Sequence, residues 1–162
     1  MRSIQHLAEH SRVWVYQANR FLSEQEIVAI SNALSQFIEG WNAHGASLYA
    51  GFEIISSRFV VLAVDEEKAL ASGCSIDKSV HFFQKIGEEL NVDFFNRMQV
   101  MYEMDGELKD TPLHQFWAMR KANLIGDDIV VYDNLVKNIA EFKERWRVSF
   151  AKSWHAEMWG RS

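Results

Sequence analysis

The residues with most capacity for chemistry cluster in Ser72-Gly73-Cys74-Ser75-Ile76-Asp77-Lys78-Ser79. This segment stands where a polar loop gives way to the helical spacing Ile76, Val80, Phe83, Ile86 and Leu90. The first amides of a helix have no intrahelical acceptor, and the helix dipole favours negative charge beside them. Gly73 permits close backbone approach, Ser75 and Ser79 offer hydroxyls, and Lys78 offers a positive charge. Together they predict a binding module for a small anionic ligand, with Asn19 and Arg20 added from the end of a preceding strand. The same surface presented to a protein partner is the second form of that reading. A different class of function starts from Cys74, whose thiolate the same dipole would favour. With His155 as base, Cys74 would be the nucleophile or redox thiol of a small enzyme, provided the imidazole lies within hydrogen-bond reach. The purely structural alternative makes Ser75 a helix cap, Gly73 a turn residue and Cys74 a small buried filler.

Four other patterns point to specific chemistries. Gly73 with Lys78-Ser79 partly matches the phosphate loop G-x-x-x-x-G-K-[ST], and Ile129-Val130-Val131-Tyr132-Asp133 matches an apolar strand ending in a magnesium-binding aspartate. The second glycine of the loop is missing, and Asp77 stands where a carboxylate would repel phosphate, so the cradle is not specified. His6-x-x-Glu9-His10 spells H-x-x-E-H, which binds zinc only when a helix presents both histidines. Asp65, Asp105 and Asp133 each follow a predicted strand, where a carboxylate metal site would gather and where acidic turn residues also gather. Trp14, Trp41, Trp117 and Trp146 fall on core-facing positions, whereas Trp154 and Trp159 lie outside the periodic segments and would cover a sheet edge, line a pocket or join subunits.

Several of these segments are similar to a small bacterial family of uncharacterised proteins often labelled "ABC transporter ATPase". The resemblance rests on Trp14-Val15-Tyr16-Gln17-Ala18-Asn19-Arg20, on Ser72 to Ser79, on Tyr132-Asp133-Asn134-Leu135-Val136 and on Ser153-Trp154-His155. It implies a bacterial, intracellular, single-domain protein. The label itself would require an intact phosphate loop and an L-S-G-G-Q-type signature, and the chain has neither.

The elements that must position these residues are legible in outline. Residues 12–20 open with a β-branched and aromatic strand. Ser23 and Glu26 form an S-x-x-E capping box ahead of Ile27, Ile30, Leu34, Phe37, Ile38 and Trp41, with Gly45 as the stop. Residues 48–55 alternate, and Phe59 to Val64 is apolar on both faces, so the two predict a hairpin at the centre of a sheet. After the helix opened near Ser75 come a strand at 98–104, an Asp105-Gly106 hairpin turn, and Thr111-Pro112 as cap and first residue of a helix. Ile129 to Tyr132 predicts another buried strand. Asn134 would cap a last helix carrying Leu135, Ile139, Phe142 and Trp146. Adjacent strands without helices between them predict an α+β fold, a single domain over residues 1–162 with a mixed sheet of about five strands and helices packed against it.

Composition narrows the classes further. With 162 residues, 48% apolar and 13% aromatic, the chain can build a core without staples. A single cysteine gives no internal disulfide and argues for a reducing, cytoplasmic setting. The longest apolar run, Phe59 to Val64, is far too short to span a bilayer, which excludes a membrane partner. A net charge of −5 and a pI near 5.7, without a basic stripe, disfavour nucleic acid. No cofactor is specified, no metal is assigned, and a homo-oligomer is compatible with the aromatic excess.

Overall fold

The structure is a computed structural model that describes residues 3–160. The chain has an α+β fold and divides into two compact units. The first is built from the residues up to Asn96 with Lys137–Ile139, and the second from Arg97–Val136 with the residues from Ala140 onward.

The first unit is organised by one strand. Its elements are β1 (Arg12–Gln17), α1 (Glu24–Glu39), β2 (Asn42–Ala43), β3 (Ala46–Ser47), β4 (Tyr49–Ile55), β5 (Phe59–Asp65) and α2 (Gly73–Leu90). All seven residues of β5 are buried, as its unbroken apolar run predicts. It lies between β1 and β4 and pairs antiparallel with both, Trp14 opposite Leu62 and Phe52 opposite Leu62. Alternation places Val60, Leu62 and Val64 on one face. There they join Tyr16, Ala50 and Phe52 under Ile30 and Leu34 of α1 and Phe83 and Ile86 of α2. Tyr16 stacks on Phe83 with ring centroids 3.8 Å apart. The capping box of α1 is complete, with Ser23 Oγ accepting from the Glu26 amide and Glu26 accepting from the Ser23 amide.

α1 ends earlier than its apolar spacing predicts. Gly40 is the C-cap, and Trp41 lies beyond the helix, buried, with its indole donating to the Ser75 carbonyl at 2.8 Å. Gly45 is no helix stop. With His44 it forms the two-residue turn of the β2–β3 hairpin, where φ is +51° at His44 and +82° at Gly45. That pair of left-handed conformations matches the twist of a tight hairpin.

The second unit contains β6 (Gln99–Met104), β7 (Glu107–Pro112), α3 (Leu113–Lys121), β8 (Val130–Tyr132), most of α4 (Ile139–Arg145), β9 (Arg147–Ser149) and α5 (Trp154–Gly160). Its four-stranded sheet runs β7-β6-β8-β9, antiparallel at every pairing. The Asp105-Gly106 turn closes β6 onto β7 with positive φ at both residues. Pro112 ends β7 and caps α3 rather than starting it, so Thr111 belongs to the strand and Leu113 opens the helix. The core is Val100, Tyr102, Leu113, Phe116, Val131 and Phe150. The strands of the chain are thus shared among sheets of three, two and four strands. β9 and α5 lie where the sequence lacks clear periodicity; at three and seven residues they are too short to display one. The last predicted helix begins at Ile139, so Asn134 does not cap it; Asn134 Oδ1 accepts instead from the Trp146 indole at 2.9 Å.

One close approach sets the shape of the first unit at the end of α2. Asn91 is the C-cap in the left-handed conformation, and the Val92 amide donates back to the Gly87 carbonyl at 2.8 Å. A Cβ on Gly87 would collide with the Val92 carbonyl oxygen, a backbone atom that cannot swing aside. Gly87→Ala is therefore expected to destabilise the fold by roughly 1–3 kcal/mol, as overpacking does. Urea titration measures it, and an unchanged midpoint would show that the turn can open at no cost.

Candidate functional site

The predicted ligand set maps onto the two ends of α2. At the N-terminus the cap is Ser72, not Ser75. Ser75 is the third helical residue and closes a serine–serine capping box. Its amide donates to Ser72 Oγ at 3.1 Å, while its hydroxyl accepts from the Ser72 amide at 2.7 Å and donates to the Ser72 carbonyl at 2.8 Å. Gly73 is simply the first helical residue. Cys74 is exposed rather than a buried filler. Lys78 is exposed, whereas Ser79 is buried and donates to the Ile76 carbonyl at 2.6 Å. Ser75 and Ser79 therefore serve the helix itself. The first-turn donors outside the box are the amides of Gly73 and Cys74.

Asn19 and Arg20 sit at the opposite end of the same helix. The Asn19 amide donates to the Asp93 carbonyl at 3.0 Å, and Asn19 Oδ1 accepts from the Asp93 amide at 2.9 Å. Arg20 donates to the Leu90 carbonyl at 2.8 Å and makes a two-toothed pair with Glu26 at 2.8 and 2.6 Å. That pair, helped by the Ser23 amide, holds the Glu26 carboxyl down to about 2. From Gly73 to Leu90 the helix rises roughly 26 Å at 1.5 Å per residue. A small ligand cannot touch both groups, so the six predicted binding residues do not form one site.

A groove does open at the C-terminal end, and Asn19 lines it. It has a volume of about 570 Å³ and lies between the last turns of α2 and the segment Asn91 to Phe95. Phe83, Val92 and Phe94 are its buried aromatic and aliphatic floor, and Phe95 is exposed beside them. Glu88 and Asp93 stand on its rim, and no lysine or arginine lines it among the described residues. The amide of Phe95 donates to Asp93 Oδ1 at 2.8 Å, which fixes the rim loop. The sequence carries two faint signals for this groove: a glycine inside a helical pattern, Gly87, and an asparagine four residues later, Asn91, suited to a left-handed cap.

The other predicted residues have local duties. His155 is buried in the second unit, stacked on Trp154 with centroids 4.2 Å apart. Its Nδ1 has no hydrogen-bond partner, and burial pushes its pKa down to about 4. Cys74 belongs to the first unit and is exposed. Asp133 is buried; its Oδ1 accepts from the Leu135 amide at 3.1 Å and its Oδ2 from the Trp154 amide at 3.1 Å, which caps α5. Asp105 is a turn residue. His6 and His10 are not on one helix, because His6 ends a short 3-10 turn over Ile4–His6. Lys78-Ser79 lies inside α2, not in a loop that could wrap a phosphate. Among the described residues no helix is long and apolar enough to cross a membrane.

Comparison with family models, with curated proteins and with solved structures finds no match to this chain. The chemistry of its own residues carries the functional reading.

The buried imidazole of His155 makes a testable contribution to acid sensitivity. Its folded pKa is depressed, so the unfolded chain takes up the proton first, near pH 6.5, and the folded chain only near pH 4. Stability is therefore full above about pH 6.5 and falls as pH drops toward 4. His155→Phe should reduce the stability difference between pH 8 and pH 4.5 by roughly 2–3 kcal/mol. Urea titrations at the two pH values measure it, and an identical difference in the variant would mean that His155 is protonated in the native state.

Proposed function

We propose that the protein is a binding module whose recognition surface is the groove at the C-terminal end of α2, and that its partner is a protein segment combining basic and apolar side chains. The observation that carries this reading is the pairing of an aromatic floor with a rim whose charged residues, among those described, are both acidic. Phe83, Phe94 and Phe95 suit an apolar side chain, while Glu88 and Asp93 suit a lysine or arginine beside it. The C-terminal carbonyls of a helix attract cations. Arg20 already places its guanidinium against the Leu90 carbonyl, an internal instance of the same contact. The overall charge of −5 acts in the same direction.

The small-anion reading keeps the exposed Gly73 and Cys74 amides with Lys78 as its basis. It is the weaker of the two, because the capping box uses the Ser75 amide and both serine hydroxyls bond to α2 itself.

A randomised peptide library panned against the full chain should enrich sequences with lysine or arginine next to an aromatic or aliphatic residue. Glu88→Lys and Gln84→Lys, both at exposed helix positions, should together weaken binding of the enriched peptides at least about tenfold, equivalent to 1.4 kcal/mol. Failure to enrich, or enrichment that survives both substitutions, would remove the groove from consideration. Slowed alkylation of Cys74 by inorganic phosphate would instead favour the N-terminal end of α2.

A further inference from the structure

We propose that His10, Asp65 and Glu67 form a binding site for a first-row divalent transition-metal ion, a function separate from the groove. The three residues come from two stretches of chain that strand pairing brings together. Asp65 is the last residue of β5, and Arg12, two residues after His10, pairs with Val64 in the β1–β5 register. His10 Nε2 lies 3.1 Å from Asp65 Oδ1 and 3.8 Å from Glu67 Oε2, and one ligand atom from each of the three lies within 4.8 Å of the others. Ligands bound about 2.0–2.2 Å from a tetrahedral zinc ion stand roughly 3.3–3.5 Å apart. The His10–Asp65 and His10–Glu67 separations already lie near that spacing, and the exposed Glu67 side chain can swing to bring the third pair to it.

The site is organised around its most buried member. The Asp65 side chain is only 8% exposed, and its Oδ1 also accepts from the Glu67 amide at 3.0 Å. Its carboxylate is therefore oriented before any ion arrives. The nearby cations make their closest contacts elsewhere, although Lys68 also helps to hold the Asp65 carboxyl below its usual range. Arg12 lies 4.0 Å from Glu66 and over the Trp14 ring, and Lys68 lies over the ring of Tyr49. One imidazole with two carboxylates is a borderline donor set. It matches zinc, cobalt or manganese better than magnesium or calcium, which take oxygen ligands throughout. His10 and Glu67 both reach solvent, so a fourth position would remain open to water or to a ligand, as in sites with three protein ligands. The H-x-x-E-H pattern supplies one of these residues and the row of strand-end aspartates supplies another, although neither motif is realised as such.

The test uses the full chain stripped with a chelator. Calorimetric titration with Zn²⁺ should give one ion per chain, and Co²⁺ should give the visible absorption bands of a four- or five-coordinate site. His10→Ala and Glu67→Gln alter exposed side chains, and circular dichroism of the metal-free variants should show the parent fold. Each should weaken Zn²⁺ binding at least about tenfold. Asp65→Asn should do the same, with circular dichroism to confirm that it folds. His44→Ala and His81→Ala, at exposed positions elsewhere, should bind as the parent chain does. Absence of binding, or affinity that is unchanged in both His10→Ala and Glu67→Gln, would overturn the assignment. Competition by equimolar Mg²⁺ or Ca²⁺ would overturn the choice of metal class.

Discussion

Strand β5 is the constraint on which the first unit depends. It offers no face to water, since Phe59, Val60, Val61, Leu62, Ala63, Val64 and Asp65 are all buried. Burying each of its larger apolar side chains is worth roughly 1.5–3 kcal/mol, which can offset the cost of ordering the strand only if both edges and both faces are covered. Both edges are paired, by β1 and by β4, so its amides and carbonyls face ladder partners. One face is roofed by α1 and α2. Polar chemistry can then appear only where the strand begins and ends. At its start Arg58 is buried and donates from Nε to the Ala18 carbonyl at 2.6 Å, a structural duty. At its end the buried Asp65 carboxylate meets the exposed His10.

The helix that roofs β5 has two electrically different ends, and the sequence around each determines what is left over. At the N-terminus, where anions are favoured, Ser72 and Ser75 answer one another and the Trp41 indole takes the Ser75 carbonyl. What remains of the first turn's donors are the Gly73 and Cys74 amides. At the C-terminus, Gly87 and Asn91 fold the chain back so tightly that the following segment stands off the helix and leaves a groove. The acids on that rim reinforce the negative end of the dipole instead of opposing it. A cation in the groove would therefore experience three contributions of the same sign: the helix end, Glu88 and Asp93.

How much of this was legible in the sequence depends on whether the cause was local. The Ser23–Glu26 capping box, the apolar run of β5 and the Asp105-Gly106 turn follow from neighbouring residues alone, and each stands as predicted. The Ser72–Ser75 box was harder to see, because its third helical residue is a serine instead of the usual glutamate or glutamine. The β2–β3 hairpin pairs only two residues on each side, too few for any period to register, so the apolar spacing alone carries Trp41 into the helix before it and leaves Gly45 as its stop. The grouping of Asn19 and Arg20 with Gly73 failed for a different reason. The end of β1 and the helix α2 are close, but which end of α2 meets the strand is set by packing and cannot be read from spacing. His155 carried no sign of its burial, since its neighbours do not form a periodic segment long enough to assign a face.

In the second unit the polar residues at the sheet and at the start of α5 are tied to one another or to the backbone. Glu103 accepts from the Tyr132 hydroxyl at 2.6 Å and pairs with Arg147, whose guanidinium holds the Glu103 carboxyl below its usual range. Burial, with the Glu103 carboxylate beside it, pushes the Tyr132 phenol up to about 12, so this group stays protonated and keeps donating. The network ties β6, β8 and β9 across the sheet. Asp133, at the end of β8, satisfies two amides, one of them the first of α5. Each of these groups has a partner that accounts for its position. In the first unit His10 and Glu67 reach solvent beside the buried Asp65, and among the described residues no lysine or arginine lines the groove that Glu88 and Asp93 border. Charge beside an opening is what a partner can recognise, and on that ground the proposed groove and the proposed metal site both fall in the first unit.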